Sequence, residues 1–230
     1  MAKKSVSIII PALDEEKAIA QCLKSIPKSK IKKSYNLEVL VIDGCSKDRT
    51  AEIAGALGCA VIKEGRRGYG RACKTGLGLA KGDFIITLDA DGSYPASKIP
   101  QLISLLDKGG LDFVTTNRFA KIEKGAMPTT NYIGNRILSL TSRILHSTNF
   151  EDSQSGMWAM RRSAWEKIRR SVKSDGFPFP QELKIEFCKS KAKYWEIPIT
   201  YGQRKGKPKL HPWRDGFTNL SQLILKKFDS

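Results

Sequence analysis

Two carboxylates one residue apart, Asp89 and Asp91, close the apolar run Phe84-Ile85-Ile86-Thr87-Leu88. Such a run reads as a strand buried on both faces, and alternate residues of a strand point the same way. Two anions side by side repel, and burying them unpaired is costly. Oxygen ligands of this kind suit a hard divalent cation, Mg²⁺ or Mn²⁺. Such a cation completes its shell with water and substrate phosphate. A solvated turn at Asp91-Gly92 would show the same spacing, so the preceding chain has to decide.

Two earlier strands also end in acids. Val6-Ser7-Ile8-Ile9-Ile10 leads through Pro11 and Ala12 to Asp14-Glu15-Glu16, and Leu37-Glu38-Val39-Leu40-Val41-Ile42 stops at Asp43-Gly44-Cys45-Ser46. Helical spacing follows at 18–26, 47–57 and 71–81, a third short strand is expected at 60–62, and 28–34 reads as a basic surface loop. Strands alternating with helices predict an α/β chain with a mostly parallel, doubly wound sheet. Such sheets bind ligands beyond the carboxyl ends of their strands. Three acidic strand ends therefore outline a site for a nucleotide carrying a divalent ion. The glycine-rich stretch 65–70 lacks the Gly-Lys-Ser/Thr of a P-loop, and no Gly-x-Gly-x-x-Gly follows the first strand, which disfavours ATP hydrolysis and dinucleotide binding. Arg71 or Lys74, at a helix start, could approach a phosphate.

The second half changes character. A helix at 99–106 and a strand at 111–116 lead to Asn117-Arg118-Phe119, followed by a loop at 120–130 rich in Lys, Gly and Pro. From 133 to 145, Ile133, Ile137, Leu140, Ile144 and Leu145 form an apolar stripe with Arg136 and Arg143 off it. That pattern suits either a membrane interface or a core-packing helix. A polar cluster at 152–156 precedes a strand at 157–160, a helix at 162–170, a helix holding Glu182 and a strand at 193–200. A basic loop at 204–209 precedes a terminal helix striped by Phe217, Leu220, Ile224 and Phe228. No repeat or clean linker appears, so the expectation is one domain over 1–230, with a nucleotide-sugar-binding half at 1–117 and an acceptor-binding half at 118–230.

The formal charge of +17 is uneven: residues 1–117 carry 18 Lys+Arg against 13 Asp+Glu, and residues 118–230 carry 22 against 10. A basic half suggests an anionic partner, whether nucleic acid, phosphorylated ligand or acidic membrane. No stretch approaches the roughly 20 apolar residues of a membrane span. Five cysteines without Cys-x-x-Cys spacing, and isolated His146 and His211, argue for reduced thiols in the cytoplasm and against zinc or histidine chemistry.

The motifs together resemble a known family. Ile-Ile-Pro-Ala-Leu-Asp-Glu after the first strand, Val-Ile-Asp-Gly-Cys-Ser-Lys-Asp-Arg-Thr after the second, and Leu-Asp-Ala-Asp-Gly are similar to family 2 glycosyltransferases. Gly134-Asn135-Arg136, the 152–156 cluster and the 204–209 loop resemble, within that family, dolichyl-phosphate mannosyltransferase and related polyprenyl-phosphate sugar transferases. The resemblance spans about residues 5 to 210. It implies a three-layer GT-A (Rossmann-like) fold and a metal-dependent, inverting transfer of a sugar from a nucleotide-diphosphate sugar to polyprenyl (dolichyl) phosphate. GDP-mannose is favoured as donor over UDP-glucose.

By this resemblance Pro11, Ala12, Glu15, Asp43, Asp89, Ala90 and Asp91 contact the nucleotide sugar, and Arg71 joins them by its position at a helix start. Asp89 and Asp91 hold Mg²⁺ or Mn²⁺, with Ser93 a candidate third ligand, and Asp91 and Arg118 are the catalytic pair. Arg118, Asn135, Arg136, Ser139, Arg204, Lys205 and Lys209 meet the acceptor phosphate, and Asp152, Gln154 and Glu182 complete the polar site. Two departures stand out. Asp43-Gly44-Cys45-Ser46 has one acid fewer than the Asp-Asp-Gly-Ser of many relatives, and Ser93 stands where some carry Gln.

The transmembrane helices of some relatives are absent, so attachment is expected to be peripheral, on an anionic membrane at its cytoplasmic face. One rival within the enzyme class uses Glu182 or Asp152 as base toward a hydroxyl acceptor. The rival from another class is a basic protein that binds nucleic acid or an anionic surface by charge alone. Its acidic strand ends would repel nucleic-acid phosphate and no recognition motif is present, so no nucleic-acid partner is expected.

Overall fold

The computed structural model describes residues 3–206, 208–209 and 212–228. Lys207 of the basic loop and His211 lie outside the described residues. One seven-stranded sheet runs through both halves of the chain in the order β3-β2-β1-β4-β6-β5-β7. The first four strands are β1 (Ser5–Ala12), β2 (Asn36–Asp43), β3 (Ala60–Lys63) and β4 (Phe84–Thr87). The remaining three are β5 (Phe113–Ile122), β6 (Trp158–Arg161) and β7 (Tyr194–Tyr201). β6 runs antiparallel to both its neighbours, and every other pairing is parallel. The mostly parallel α/β architecture is therefore as expected.

Helices cover both faces because the strands are apolar on both. Val6, Ile8 and Ile10 of β1 pack with α1 (Ile19–Ser25), α2 (Lys28–Lys32), α3 (Thr50–Ala56) and, through Ile99, Leu102 and Leu106, α5 (Ile99–Asp107). Ile9, Ile42 and Ile85 face the other way, toward α4 (Tyr69–Leu79), α7 (Arg162–Ile168) and α8 (Phe179–Lys189). A small satellite core of Leu138, Ile185 and Leu223 joins α8 to α6 (Thr129–His146) and α9 (Pro212–Phe228).

Three local expectations are corrected. The stretch 28–34 is not all loop: residues 28–32 form α2, anchored by the buried Ile31. A five-residue helix with one apolar anchor has no periodicity to detect. β5 does not stop at 116 but runs on to Ile122, paired with β7 on both sides of an irregularity between Asn117 and Lys121. The polar pair Asn117-Arg118 mimics a strand end, yet both side chains are buried and hydrogen-bonded. Finally, β4 ends at Thr87, so Asp89 and Asp91 sit in the turn beyond it. Strand alternation does not aim them; the turn does.

Candidate active site

The carboxyl ends of β1, β2 and β4 meet, and their loops are tied to one another. The Asp14 and Glu15 amides donate to Ser46 Oγ (2.9 Å) and Thr50 Oγ1 (2.7 Å), and the Lys47 amide donates to Asp14 Oδ1 (2.7 Å). Asp43 is buried at the end of β2, where Oδ2 accepts from the Ser46 amide at 3.2 Å. Cys45 adopts the left-handed region with φ 63°, a conformation that suits glycine better. Pro11 and Ala12 are buried at the end of β1, and Ala90 is buried between the two aspartates.

Asp91 is 6% exposed, and its Oδ1 accepts from the Ser93 amide (2.9 Å) and the Ser93 hydroxyl (2.6 Å). Ser93 thus orients Asp91. Asp89 Oδ1 accepts from the Tyr69 hydroxyl at 2.9 Å. Burial, and then the Asp91 charge, raise the Asp89 carboxyl well above the usual carboxylate range. Burial also raises Glu15, against the lowering pull of Arg204.

Arg204 lies across these acids. One terminal nitrogen is 2.7 Å from Glu15 Oε1 and the other is 3.6 Å from Asp91 Oδ2. Its loop is pinned to the turn after β4, since Gly202 N donates to Ser93 O and Lys205 N donates to Asp91 O, both at 2.9 Å. Lys209 Nζ donates to Asp14 O at 2.9 Å, and Lys205 Nζ to Gln21 Oε1. The loop read as an acceptor element therefore closes on the loops after β1 and β4.

The residues fit a divalent cation. Glu15 Oε2 is buried without a hydrogen-bond partner, and Asp89 and Asp91 are held beside each other with Arg204 and Arg118 as counter-charges. Among the described residues no three His, Cys, Asp or Glu side chains come together as a metal-ligand group, so protein ligands alone do not complete the set. Two carboxylates plus substrate phosphate is the set Mg²⁺ commonly uses.

A second cluster sits alongside. Arg118 Nε and one terminal nitrogen donate to the two Asp152 oxygens at 2.7 and 2.8 Å, and the Arg118 amide adds a third bond at 3.1 Å. The guanidinium carbon lies 5.4 Å from the Tyr201 ring centre, and its charge is felt at Asp89. Burial alone would raise the fully buried Asp152, but Arg118 and then Lys184 hold it below the usual carboxylate range. Lys184 is itself 1% exposed, and its ammonium donates to Asp152 O (2.6 Å) and Ser155 O (3.3 Å). Burial lowers its pKa to about 8.

The other expected residues are dispersed. Gln154 Nε2 donates to Ser153 Oγ and to Gln181 Oε1, at 2.9 and 2.6 Å. Ser139 Oγ accepts from the Ser153 amide at 3.0 Å, which ties α6 to the Asp152 turn. Asn135 Nδ2 lies 3.9 Å from Met127 Sδ. Arg136 stacks on Phe119 at 5.1 Å and lines a cavity of about 380 Å³ with Asn117, Tyr132, Glu151 and Glu196. Glu182 is 2% exposed; Lys226 Nζ donates to its Oε1 at 2.8 Å, and the Lys173 and Ser174 amides donate to Oε2.

Arg71 does not face a free helix end. Its amide and that of Gly70 donate to Asp175 O and Gly176 O, at 2.9 and 3.2 Å. Its guanidinium lies between Glu64 (3.7 Å) and Asp175 (3.9 Å). The carbonyls of a distant loop thus take the place a phosphate would need. This packing relies on Gly68, whose φ is 133° and where a Cβ would come 2.1 Å from Asp175 O. Gly68→Ala is expected to destabilise the protein by about 3 kcal/mol or more, through strain and overpacking together. A denaturation midpoint within error of wild type would overturn this.

Tyr69 and Lys184 escaped the sequence reading. Tyr69 opens α4 within the glycine-rich stretch, and Lys184 sits between Leu183 and Ile185 on α8. No local signal marks either.

Comparison with known proteins places this geometry. Residues 7–169 match the family described as Glycosyl transferase family 2. The chain is 31% identical over 223 residues to the low-salt glycan biosynthesis hexosyltransferase Agl6 of Haloferax volcanii, covering 96% of this chain and 53% of that one. It therefore spans about half the length of that relative. It is 30% identical to the dolichyl-phosphate hexose transferase of the same organism, covering 92% of this chain and 89% of the relative. Among solved structures, glucosyl-3-phosphoglycerate synthase from Mycobacterium tuberculosis, in complex with Mn²⁺, UDP-glucose and phosphoglyceric acid, superposes with TM-score 0.74 at 21% identity. That match covers 97% of this chain and 80% of the synthase, and shows the shared GT-A fold. With its mostly parallel sheet, acidic strand ends and family match in agreement, the chain belongs to glycosyltransferase family 2.

Proposed function

We propose that this glycosyltransferase moves a hexose, with mannose from GDP-mannose favoured over glucose from UDP-glucose, onto the phosphate of a polyprenyl (dolichyl) phosphate at an anionic membrane surface. The observation that carries this reading is Arg204, with Lys205 and Lys209 beside it, lying across Glu15 and Asp91, next to the buried Arg118–Asp152 pair. It gives two positive groups beside one acidic, cation-suited turn. A relative named as a dolichyl-phosphate hexose transferase supports the acceptor class.

In the proposed reaction an acceptor phosphate oxygen attacks the anomeric carbon. The bond from that carbon to the donor diphosphate breaks, the nucleoside diphosphate leaves with the electron pair, and the configuration inverts. A Mg²⁺ or Mn²⁺ held by Asp89 and Asp91 would neutralise charge on the diphosphate. Ser93 and Tyr69 orient the two carboxylates. Arg118, whose planar guanidinium is held in place by Asp152, offers the acceptor a fixed charge. A phosphate acceptor with second pKa about 6 is largely deprotonated at neutral pH and requires no strong base. That matches a site in which Asp152 and Glu182 have all four oxygens already engaged. A hydroxyl acceptor would require a base, and neither of these two acids has an unengaged oxygen to serve as one. The exposed α6 stripe, with Ile137 54% and Ile144 70% exposed, supports peripheral attachment, proposed here on the cytoplasmic face. No helix of the described residues is long and apolar enough to cross a membrane.

The test is transfer from GDP-mannose or UDP-glucose, with Mg²⁺ or Mn²⁺, to polyprenyl phosphate and to the matching polyprenyl alcohol. Transfer to the alcohol but not the phosphate would overturn the acceptor assignment. Arg204 supplies a finer test. Arg204→Ala is expected to cut transfer by roughly 10²-fold, because a charge at the diphosphate contributes several kcal/mol when water is excluded. It is also expected to weaken nucleoside-diphosphate binding in calorimetry, since Arg204 lies against Glu15 and Asp91. Unchanged nucleotide affinity with lost transfer would return Arg204 to the acceptor side alone.

A further inference from the structure

Lys184 has no part in the reaction proposed above, yet it is buried against the turn that carries Asp152. The acids of its own helix do not account for it. Glu182 and Glu186 of α8 both face Lys226 of α9, at 2.8 and 3.1 Å. Lys184 lies two residues from each, and at 3.6 residues per turn it points to the opposite side. There its ammonium donates to Asp152 O (2.6 Å) and Ser155 O (3.3 Å) and lies 5.9 Å from the Phe150 ring centre. A buried ammonium that ends on backbone carbonyls is costly to keep. An apolar side chain of the same length would fill the space with no charge to desolvate.

The two carbonyls belong to the two ends of one turn, and each end serves a different part of the site. At the first end Asp152 takes three hydrogen bonds from Arg118. The other end abuts the donor side. A Cβ on Gly156 would come 2.9 Å from Asp89 Oδ2 and 2.8 Å from the Tyr69 hydroxyl. The Gly156 amide donates to the Tyr94 hydroxyl at 2.7 Å, and its carbonyl accepts from Thr87 Oγ1 at 2.8 Å. Glu196 of β7 grips the turn through its amides, accepting from Glu151 N and Asp152 N at 2.8 and 3.1 Å. The span of this turn therefore sets how far the Arg118 guanidinium lies from the Asp89 carboxylate.

We propose that Lys184 is a positioning residue for sugar transfer, a buried charged strut that fixes the span of the 152–156 turn and so the separation of Arg118 from Asp89. The charge matters as well as the two hydrogen bonds. Asp152 and Glu196 face the ammonium as anions, and Arg118 faces it as a cation. Burial brings its pKa down to about 8, although Asp152 and Glu196 pull it up. Above that pH a neutral amine donates weaker bonds to the two carbonyls. Of the four groups, Arg118 is then left as the single cation beside two anions. The kinetic consequence rests on the proposed role of Arg118 toward the acceptor; the effect on Arg118 itself does not.

The test has two arms on the whole chain. The first follows transfer from GDP-mannose and UDP-glucose to polyprenyl phosphate, with Mg²⁺, from about pH 6.5 to 9.5. Wild-type kcat is expected to fall with a midpoint of about 8. Lys184→Met is expected to lose roughly tenfold or more in kcat at neutral pH, because a small misplacement of reacting groups is costly. It should also lack the alkaline fall, while its donor KM stays within roughly threefold of wild type. Glu196→Gln should move the midpoint to lower pH, since Glu196 raises the Lys184 pKa. The second arm needs no substrate. The Arg118 Nε–H signal in nuclear magnetic resonance, assigned by its loss in Arg118→Lys, should shift through the same midpoint in wild type and stay constant in Lys184→Met. A Lys184→Met enzyme with wild-type kcat per folded molecule would overturn the proposal, as would an Arg118 signal that does not respond to pH. If Lys184→Met fails to fold, Glu196→Gln decides: an unmoved midpoint would overturn the proposal as well. A titrating Arg118 signal in a protein that transfers nothing to polyprenyl phosphate would keep the strut and reject the acceptor reading.

Discussion

Asp91→Ala is expected to abolish sugar transfer, by roughly 10³-fold or more, while leaving the folded protein at least as stable as wild type. The first half follows from position. Asp91 is buried, oriented by two bonds from Ser93, and turns its other oxygen toward Arg204 and the space the diphosphate would occupy. Removing it takes away half of the carboxylate pair suited to the cation and frees one anchor of Arg204. A loss of about 4 kcal/mol of transition-state stabilisation corresponds to about 10³ in rate. The second half follows from repulsion. The Asp91 charge raises the Asp89 carboxyl, so deleting it relieves a like-charge contact. Asp91→Asn separates shape from charge, because it keeps an acceptor for Ser93. Loss of transfer in both variants, with a melting temperature at or above wild type, is the expected pattern. Full transfer in excess chelator, or by Asp91→Asn, would remove the cation from the account.

The largest expected effect on stability comes from Asp152→Ala. Arg118 is 8% exposed and Asp152 is fully buried, joined by three hydrogen bonds including the Arg118 amide. Removing one partner of a buried pair leaves the other charge uncompensated, at a cost of about 3–5 kcal/mol. In a chain of this size that is roughly a 10 °C fall in melting temperature. Arg118→Met combined with Asp152→Leu should recover much of the stability but none of the transfer, which distinguishes a structural pair from a functional one. Arg118→Lys keeps the charge and loses the planar fork, so transfer should fall even where stability holds. The pH dependence has a definite sign. The folded-state pKa of Asp152 is depressed, so its contribution is present above the unfolded value of about 3.9 and is lost as pH falls through the folded value. Asp152→Asn should therefore lose stability at neutral pH and be less sensitive to acid than wild type. A variant at Asp152 that melts within 2 °C of wild type and transfers normally would show that the pair is dispensable.

Local sequence determined the frame and the acidic end of the site. Strand and helix periods depend on residues a few positions apart, so the apolar runs of β1, β2 and β4 and their terminal acids announce a parallel sheet with ligands at its carboxyl edge. The same locality explains what escaped. Arg204 meets Glu15 across 189 positions and Arg118 meets Asp152 across 34, and no periodicity encodes such pairings. The helix start at Gly70-Arg71 looked open, yet carbonyls from residues 175 and 176 close it. Asp89 and Asp91 were legible as a pair, but their common direction comes from a turn braced by Tyr69 and Ser93. The α6 stripe shows how far a pattern reaches. Helical spacing established that one face is apolar, but whether anything covers that face depends on where α8 and α9 pack. In the folded chain they take the adjacent face, through Leu138 and Leu223, and leave Ile133, Ile137, Leu140 and Ile144 in the open.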